Sequence, residues 1–96
     1  PDGSAQIDFD SAHYIRFVVI DRPGIISELA RVFATHDINI DSLLQEPGWS
    51  KRELPFVITL ERCNTSALRS ALSEIRRFDF HARDLFWMPI LTREKT

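Results

Sequence analysis

The chain holds a single cysteine, Cys63, among its 96 residues. That excludes an internal disulfide and fits a reducing cytoplasm. Glycine is scarce, with only three. None forms a G-x-G-x-x-G run after an apolar segment, so no dinucleotide-binding loop lies in this chain. No apolar stretch approaches the ~20 residues of a membrane span. Positive charge is not in surplus either: the net charge is −2, where a nucleic-acid footprint needs a basic excess. His13, His36 and His81 are scattered, and no H-x-x-x-H pair exists to suggest zinc. Cys63 has no base near it in sequence and reads as a small packing residue.

What remains is an ordinary globular composition, 44% hydrophobic and 27% charged. The length points to one domain with a thin stability margin, since a chain this small buries only about 60–65% of its unfolded surface. The opening P-D-G-S-A-Q-I-D-F-D has no basic region followed by a hydrophobic one, so it does not read as a signal peptide. Its lack of an initiating methionine fits a piece of a longer protein. Residues 1–12 read as a linker or a disordered N-terminal segment, 13–89 as the domain, and 90–96 as a flexible tail.

Tyr14–Ile20 is β-branched and aromatic, too short for a helix, and predicts the first strand. After Asp21-Arg22-Pro23-Gly24 the period changes. Ile26, Leu29, Ala30 and Phe33 follow helical spacing, widened by Ile25 and Val32. Pro23 suits the first helical turn, and Thr35-His36-Asp37 ends the helix, where His36 favours the C-terminal dipole. Ile38 to Leu44 predicts strand two and Leu54–Leu60 strand three, with Pro55 marking an edge or an entrance. Asn64-Thr65-Ser66 offers caps for a second helix striped by Leu68, Ala71, Leu72 and Ile75. Phe80 to about Met88 predicts strand four, with Pro89 as its stop.

The order β-α-β-β-α-β predicts an α+β ferredoxin-like fold: a four-stranded antiparallel sheet with two helices on one face. The uncovered face is expected to carry Val18, Ile20, Val57 and Leu43, apolar positions that point to dimerisation or docking. The D-R-P-G turn runs directly into a helix. Backbone N–H groups at such an N-terminus favour a carboxylate or phosphate, and Gly24 lets a ligand approach closely. Asn39 adds an amide donor and acceptor. The plainer alternative is that Asp21 caps the helix, Gly24 merely turns, and Asn39 pairs with backbone.

D-R-P-G-I-I-S-E-L-A-R-V-F-A-T-H-D-I-N-I-D-S-L-L-Q resembles the opening half of an ACT domain, and the likeness extends over about Tyr14–Met88. The finer resemblance, carried by Y-I-R-F before D-R-P-G, by S-L-L-Q-E-P-G-W and by L-P-F-V-I-T-L, is to the C-terminal ACT domains of homoserine dehydrogenases. The resemblance implies a non-catalytic regulatory fragment of an NAD(P)-dependent enzyme of aspartate-family synthesis, leading to threonine and methionine. It implies no cofactor in this fragment, and an end-product amino acid, threonine first, bound where two ACT domains meet in a homodimer or higher assembly. The family's ligand loop falls on Asp21, Arg22, Pro23, Gly24, Ile25 and Ile26, with Asn39 and Ile40 across from it. The remaining implied partners are the parent's catalytic domains; neither nucleic acid nor membrane is expected, and the location is cytoplasmic.

The same element order serves other functions. An RNA-recognition domain wants stacking aromatics in R/K-G-F/Y-G/A-F-V, whereas this chain has R-E-L-P-F-V-I-T-L. An acylphosphatase-like enzyme would use Arg22 and Asn39, but its glycine-rich cradle is missing. A purely structural dimerisation module, or an ACT domain of another amino-acid or stringent-response enzyme, shares the whole pattern.

Overall fold

The computed structural model describes residues 10–45 and 47–90. Six elements follow in order: β1 (Asp10–Val19), α1 (Ile25–Thr35), β2 (Ile40–Gln45), β3 (Leu54–Asn64), α2 (Thr65–Ile75) and β4 (His81–Ile90). They form one antiparallel sheet in the order β2-β3-β1-β4. This is the ferredoxin-like α+β arrangement expected from the sequence.

Alternation sorts the residues of β1 and β3. Ile15 faces Ile58 and Phe17 faces Phe56 across the two strands, and the Phe17 and Phe56 rings stack 5.1 Å apart. Leu29, Val32 and Phe33 from α1 and Leu68, Leu72 and Ile75 from α2 close over them as one core. Each such side chain, fully buried, contributes roughly 1.5–3 kcal/mol of transfer free energy.

Helix ends are fixed by local chemistry. Asn64 caps α2, its side-chain oxygen accepting from the Ala67 N–H at 3.2 Å, as its residue type predicts. At the end of α1, Asp37 adopts φ 60°. The Asp37 N–H donates to the Ala34 carbonyl and the Ile38 N–H to the Phe33 carbonyl, both at 2.9 Å. This is a Schellman closure with an aspartate in the left-handed position that glycine usually fills. His36 follows the helix as expected, and its ring Nε2 lies 3.1 Å from Glu74 of α2.

Several boundaries differ from the sequence expectation. Residues 10–12, expected to be linker, are the start of β1. β1 stops at Val19, and Pro23 precedes α1 rather than opening its first turn. β4 runs through Pro89 to Ile90; as an edge strand it tolerates a proline that removes one ladder donor. Pro55 stands at the entrance of a central strand. The predicted tail from residue 91 onward, and residues 1–9 of the linker, lie outside the described residues.

The helix-free face also differs. Val18 is on it but only 6% exposed. It lies between Pro55 and Arg83, in a groove flanked by Trp49 of the 47–53 connection. Leu43 pairs with Ile58 and so shares the helix side with Gln45; Leu44, paired with Val57, takes the open face instead. Ile20 is exposed beyond the strand end.

Candidate functional site

The first turn of α1 begins at Gly24, which has φ 93° and supplies no side-chain cap. A Cβ there would meet nothing within 4 Å, so glycine is required by backbone conformation rather than by crowding. Asp21 does not cap the helix. The cap assigned to Asp21 in the plainer alternative is therefore absent, Gly24 does make the turn, and the N–H groups of Ile25, Ile26 and Ser27 keep the orphan character of a helix start. The Gly24 carbonyl does serve the helix, accepting from the Glu28 N–H at 2.9 Å.

This N-terminus borders a cavity of about 470 Å³, within the range of small-molecule sites. Val19, Ile25, Ile26, Ala30, Leu54 and Phe56 supply apolar wall, and Asp21, Arg22, Ser27 and Gln45 supply polar edges. Five of the residues expected at a ligand loop, Asp21, Arg22, Gly24, Ile25 and Ile26, thus come together. Pro23 sits within the turn but does not line the cavity.

Arg22 is already committed. Its guanidinium meets Asp79 at 2.6 Å and Glu28 at 3.5 Å, and lies 5.5 Å from the centre of the Phe80 ring. The contact with Asp79 raises the Arg22 pKa and, conversely, lowers that of Asp79. Arg22 straps the loop to the α2–β4 turn, a role reinforced by the Ile20 N–H donating to the Phe80 carbonyl at 2.7 Å. On the other side, the Asp21 N–H donates to the Lys51 carbonyl at 2.7 Å. The Asp21 carboxylate itself has no partner among the described residues.

Asn39 and Ile40 are not part of this cavity in a single chain. They follow the C-terminal end of α1, whose 11 residues span roughly 16 Å at about 1.5 Å per residue. Ile40 pairs with Leu60, and the Asn39 amide points to Glu61 at 3.4 Å. The sequence reading missed Gln45, Leu54, Phe56, Val19, Ser27 and Ala30 as wall residues. Ala30 could have been found, because it sits one helical turn below Ile26; the others needed the strand register.

Buried His13 and half-buried Cys63 form a separate group. His13 Nδ1 accepts from the Trp87 indole at 2.9 Å, and Ser11 Oγ lies 3.4 Å from Nε2. Burial lowers the His13 pKa, partly offset by a hydrogen bond with the Cys63 backbone, while burial raises the Cys63 thiol. An imidazole whose Nδ1 accepts is neutral and carries its proton on Nε2. Among the described residues no cluster of histidine, cysteine or carboxylates is arranged to hold a metal ion, and no helix is long and apolar enough to cross a membrane.

Fold and cavity define the class first: a small ferredoxin-like α+β module whose first helix opens onto a pocket. The ACT domain family model matches residues 13–80, and the chain belongs to that family of regulatory domains. It is 24% identical over 71 residues to a homoserine dehydrogenase of Pseudomonas aeruginosa, a match that covers 73% of this chain and 16% of the relative. A homoserine dehydrogenase structure from Thiobacillus denitrificans superposes with a TM-score of 0.72 at 20% identity, over 83% of this chain and 17% of that one. The regulatory subunit of aspartate kinase from Thermus flavus gives 0.56 at 19% identity, over 84% and 52%. At such identities the structural likeness establishes the fold. The chain spans about a sixth of the length of both homoserine dehydrogenases.

Proposed function

We propose that this ACT domain binds a small amino acid in the α1 cavity and regulates a larger enzyme of the homoserine dehydrogenase type. The observation that carries the reading is the uncapped N-terminus of α1 opening into the cavity beside the Asp21 carboxylate, which has no partner among the described residues. The N–H groups of Ile25, Ile26 and Ser27 receive the ligand carboxylate, aided by the helix dipole. Asp21 receives the ammonium. The ligand side chain lies against the apolar wall, with Gln45 and Ser27 within the same rim.

Threonine is the first candidate, as an end product of the aspartate family. Asn39 and Ile40 reach such a ligand only from a second copy of the domain, so the complete site belongs to a dimer or higher assembly. The parent is an NAD(P)-dependent, cytoplasmic homoserine dehydrogenase whose catalytic domains this module contacts; the module itself needs no cofactor. Binding biases that parent by a coupling of about 1–3 kcal/mol, provided the ligand prefers one of its states.

Amide-resolved NMR of the chain during titration with L-threonine, L-methionine, L-isoleucine, L-serine and L-lysine tests this reading. One of them is expected to move the Ile25–Ser27 amides in a saturable way. Shifts confined to other regions would overturn the site, and an unmoved spectrum with every amino acid would overturn binding by the isolated chain.

A further inference from the structure

The helix-free face carries a second surface, independent of the cavity. Leu44, Phe86 and Met88 are 67%, 54% and 45% exposed there, and the Tyr14 ring meets Phe86 edge-on at 6.4 Å. Arg16 stands among them, paired across the strands with Val57 and Phe86. Among the described residues it makes no ion pair or hydrogen bond. A hollow of about 120 Å³ adjoins it, walled by Tyr14, Leu44, Pro55 and Val57. A groove of about 260 Å³ shares Arg16 and runs past Val18, Trp49, Glu53 and Arg83.

Aromatic residues, methionine and arginine are the side chains that protein interfaces concentrate, and anchors of this kind sit in pockets at the centre of the contact. The charge decides what fits. A purely apolar partner would strip water from the Arg16 guanidinium and leave it unpaired, which costs several kcal/mol. A carboxylate can take the guanidinium fork with two parallel hydrogen bonds. Most strand carboxylates of a second copy are already engaged, Asp10 being the exception among the described residues: Asp41 accepts from Thr59, Glu61 from Asn39 and Asp84 from Arg76, and Glu53, just before β3, holds Arg83.

We propose that the helix-free sheet face docks a protein segment carrying a carboxylate flanked by apolar side chains. Arg16 takes the carboxylate, and the hollow beside it takes an aliphatic or aromatic neighbour. Phe86 and Met88 bury against the rest of the segment.

Peptides of about eight residues, long enough to cross the sheet, supply the probe: leucines around a central Glu, with matched Gln and Lys versions. Fluorescence anisotropy is read with the unaltered chain, with Arg16→Gln and with Arg16→Glu. Arg16 is exposed, so both variants are expected to keep the circular dichroism of the parent chain. The Glu peptide is expected to bind the unaltered chain roughly tenfold or more tighter than the Gln peptide. Arg16→Gln should erase that difference, and Arg16→Glu should turn the preference toward Lys. Equal binding of all peptides by the unaltered chain would reduce the face to apolar adhesion and overturn the proposal. Failure of every peptide would overturn it too, as would self-association in sedimentation that Arg16→Glu abolishes without any peptide response.

Discussion

At the scale of single residues, conformation and charge account for positions that composition leaves ambiguous. Gly24 is needed for its φ of 93°, not for space. Gly24→Ala should therefore fold but lose about 1–2 kcal/mol in urea titrations; unchanged stability would mean the turn relaxes. It is a poor probe of ligand binding for the same reason. Asp21 is the better one. Asp21→Asn keeps the backbone link to Lys51 and should weaken amino-acid binding roughly ten- to a hundredfold, as expected for a hydrogen bond to a charged group worth about 1.5–3 kcal/mol. His13 gives a pH prediction. Its pKa is lowered in the folded chain, so the unfolded chain binds more protons below about pH 6.5. Stability should fall as pH drops through that value and level off below the folded pKa. His13→Gln, compared with the parent chain in urea at pH 7.5 and 5, should flatten that part of the slope. An identical slope in both would assign the effect to other groups.

At the scale of elements, periodicity made most of the fold legible. Leu68, Ala71, Leu72 and Ile75 placed α2, and Asn64 was readable as its cap because a side-chain oxygen there satisfies an orphan N–H. Strand ends were harder. Asp10, Ser11 and Ala12 look like linker, and they join the sheet only because β3 extends to Asn64 and pairs with Asp10 and Ser11, while Ala12 pairs with Ile90 of β4. Such long-range pairing leaves no local period. The face assigned to Leu43 was wrong for a related reason: a register irregularity between Ile40 and Ser42 moves every later side chain of β2 to the opposite face. Asp37 offers a test at this scale. Asp37→Gly should stabilise the chain by about 1 kcal/mol, because glycine takes the left-handed closure without a Cβ penalty. A loss of stability in thermal melts would contradict the Schellman assignment.

At the scale of the whole molecule, the cavity and the open face lie on opposite sides of one sheet, and the 47–53 connection touches both. Its neighbours Gln45 and Leu54 line the cavity, Lys51 accepts from the Asp21 N–H, and Trp49 flanks the groove over Val18. Occupation of the cavity should therefore alter Trp49 emission, a signal that Trp49→Phe removes; a binding isotherm with silent fluorescence would mean the connection does not respond. The D-R-P-G loop was visible in the sequence because a strand, a Pro-Gly turn and an amphipathic helix are contiguous. Its far wall was not, because Val19, Gln45, Leu54 and Phe56 meet only through register. Asn39 is instructive in the opposite sense. It reads as a neighbour in the motif, yet the length of α1 carries it to the other end of the sheet.

The most direct measurement is isothermal titration of the chain with L-threonine and the other amino acids, repeated on Ala30→Phe, which fills the cavity without touching Asp21 or the α1 amides. The account predicts saturable heat with one amino acid and none with the filled variant. Equal heat from both would place the ligand elsewhere, and no heat with any amino acid from a folded dimer would leave the domain a structural module.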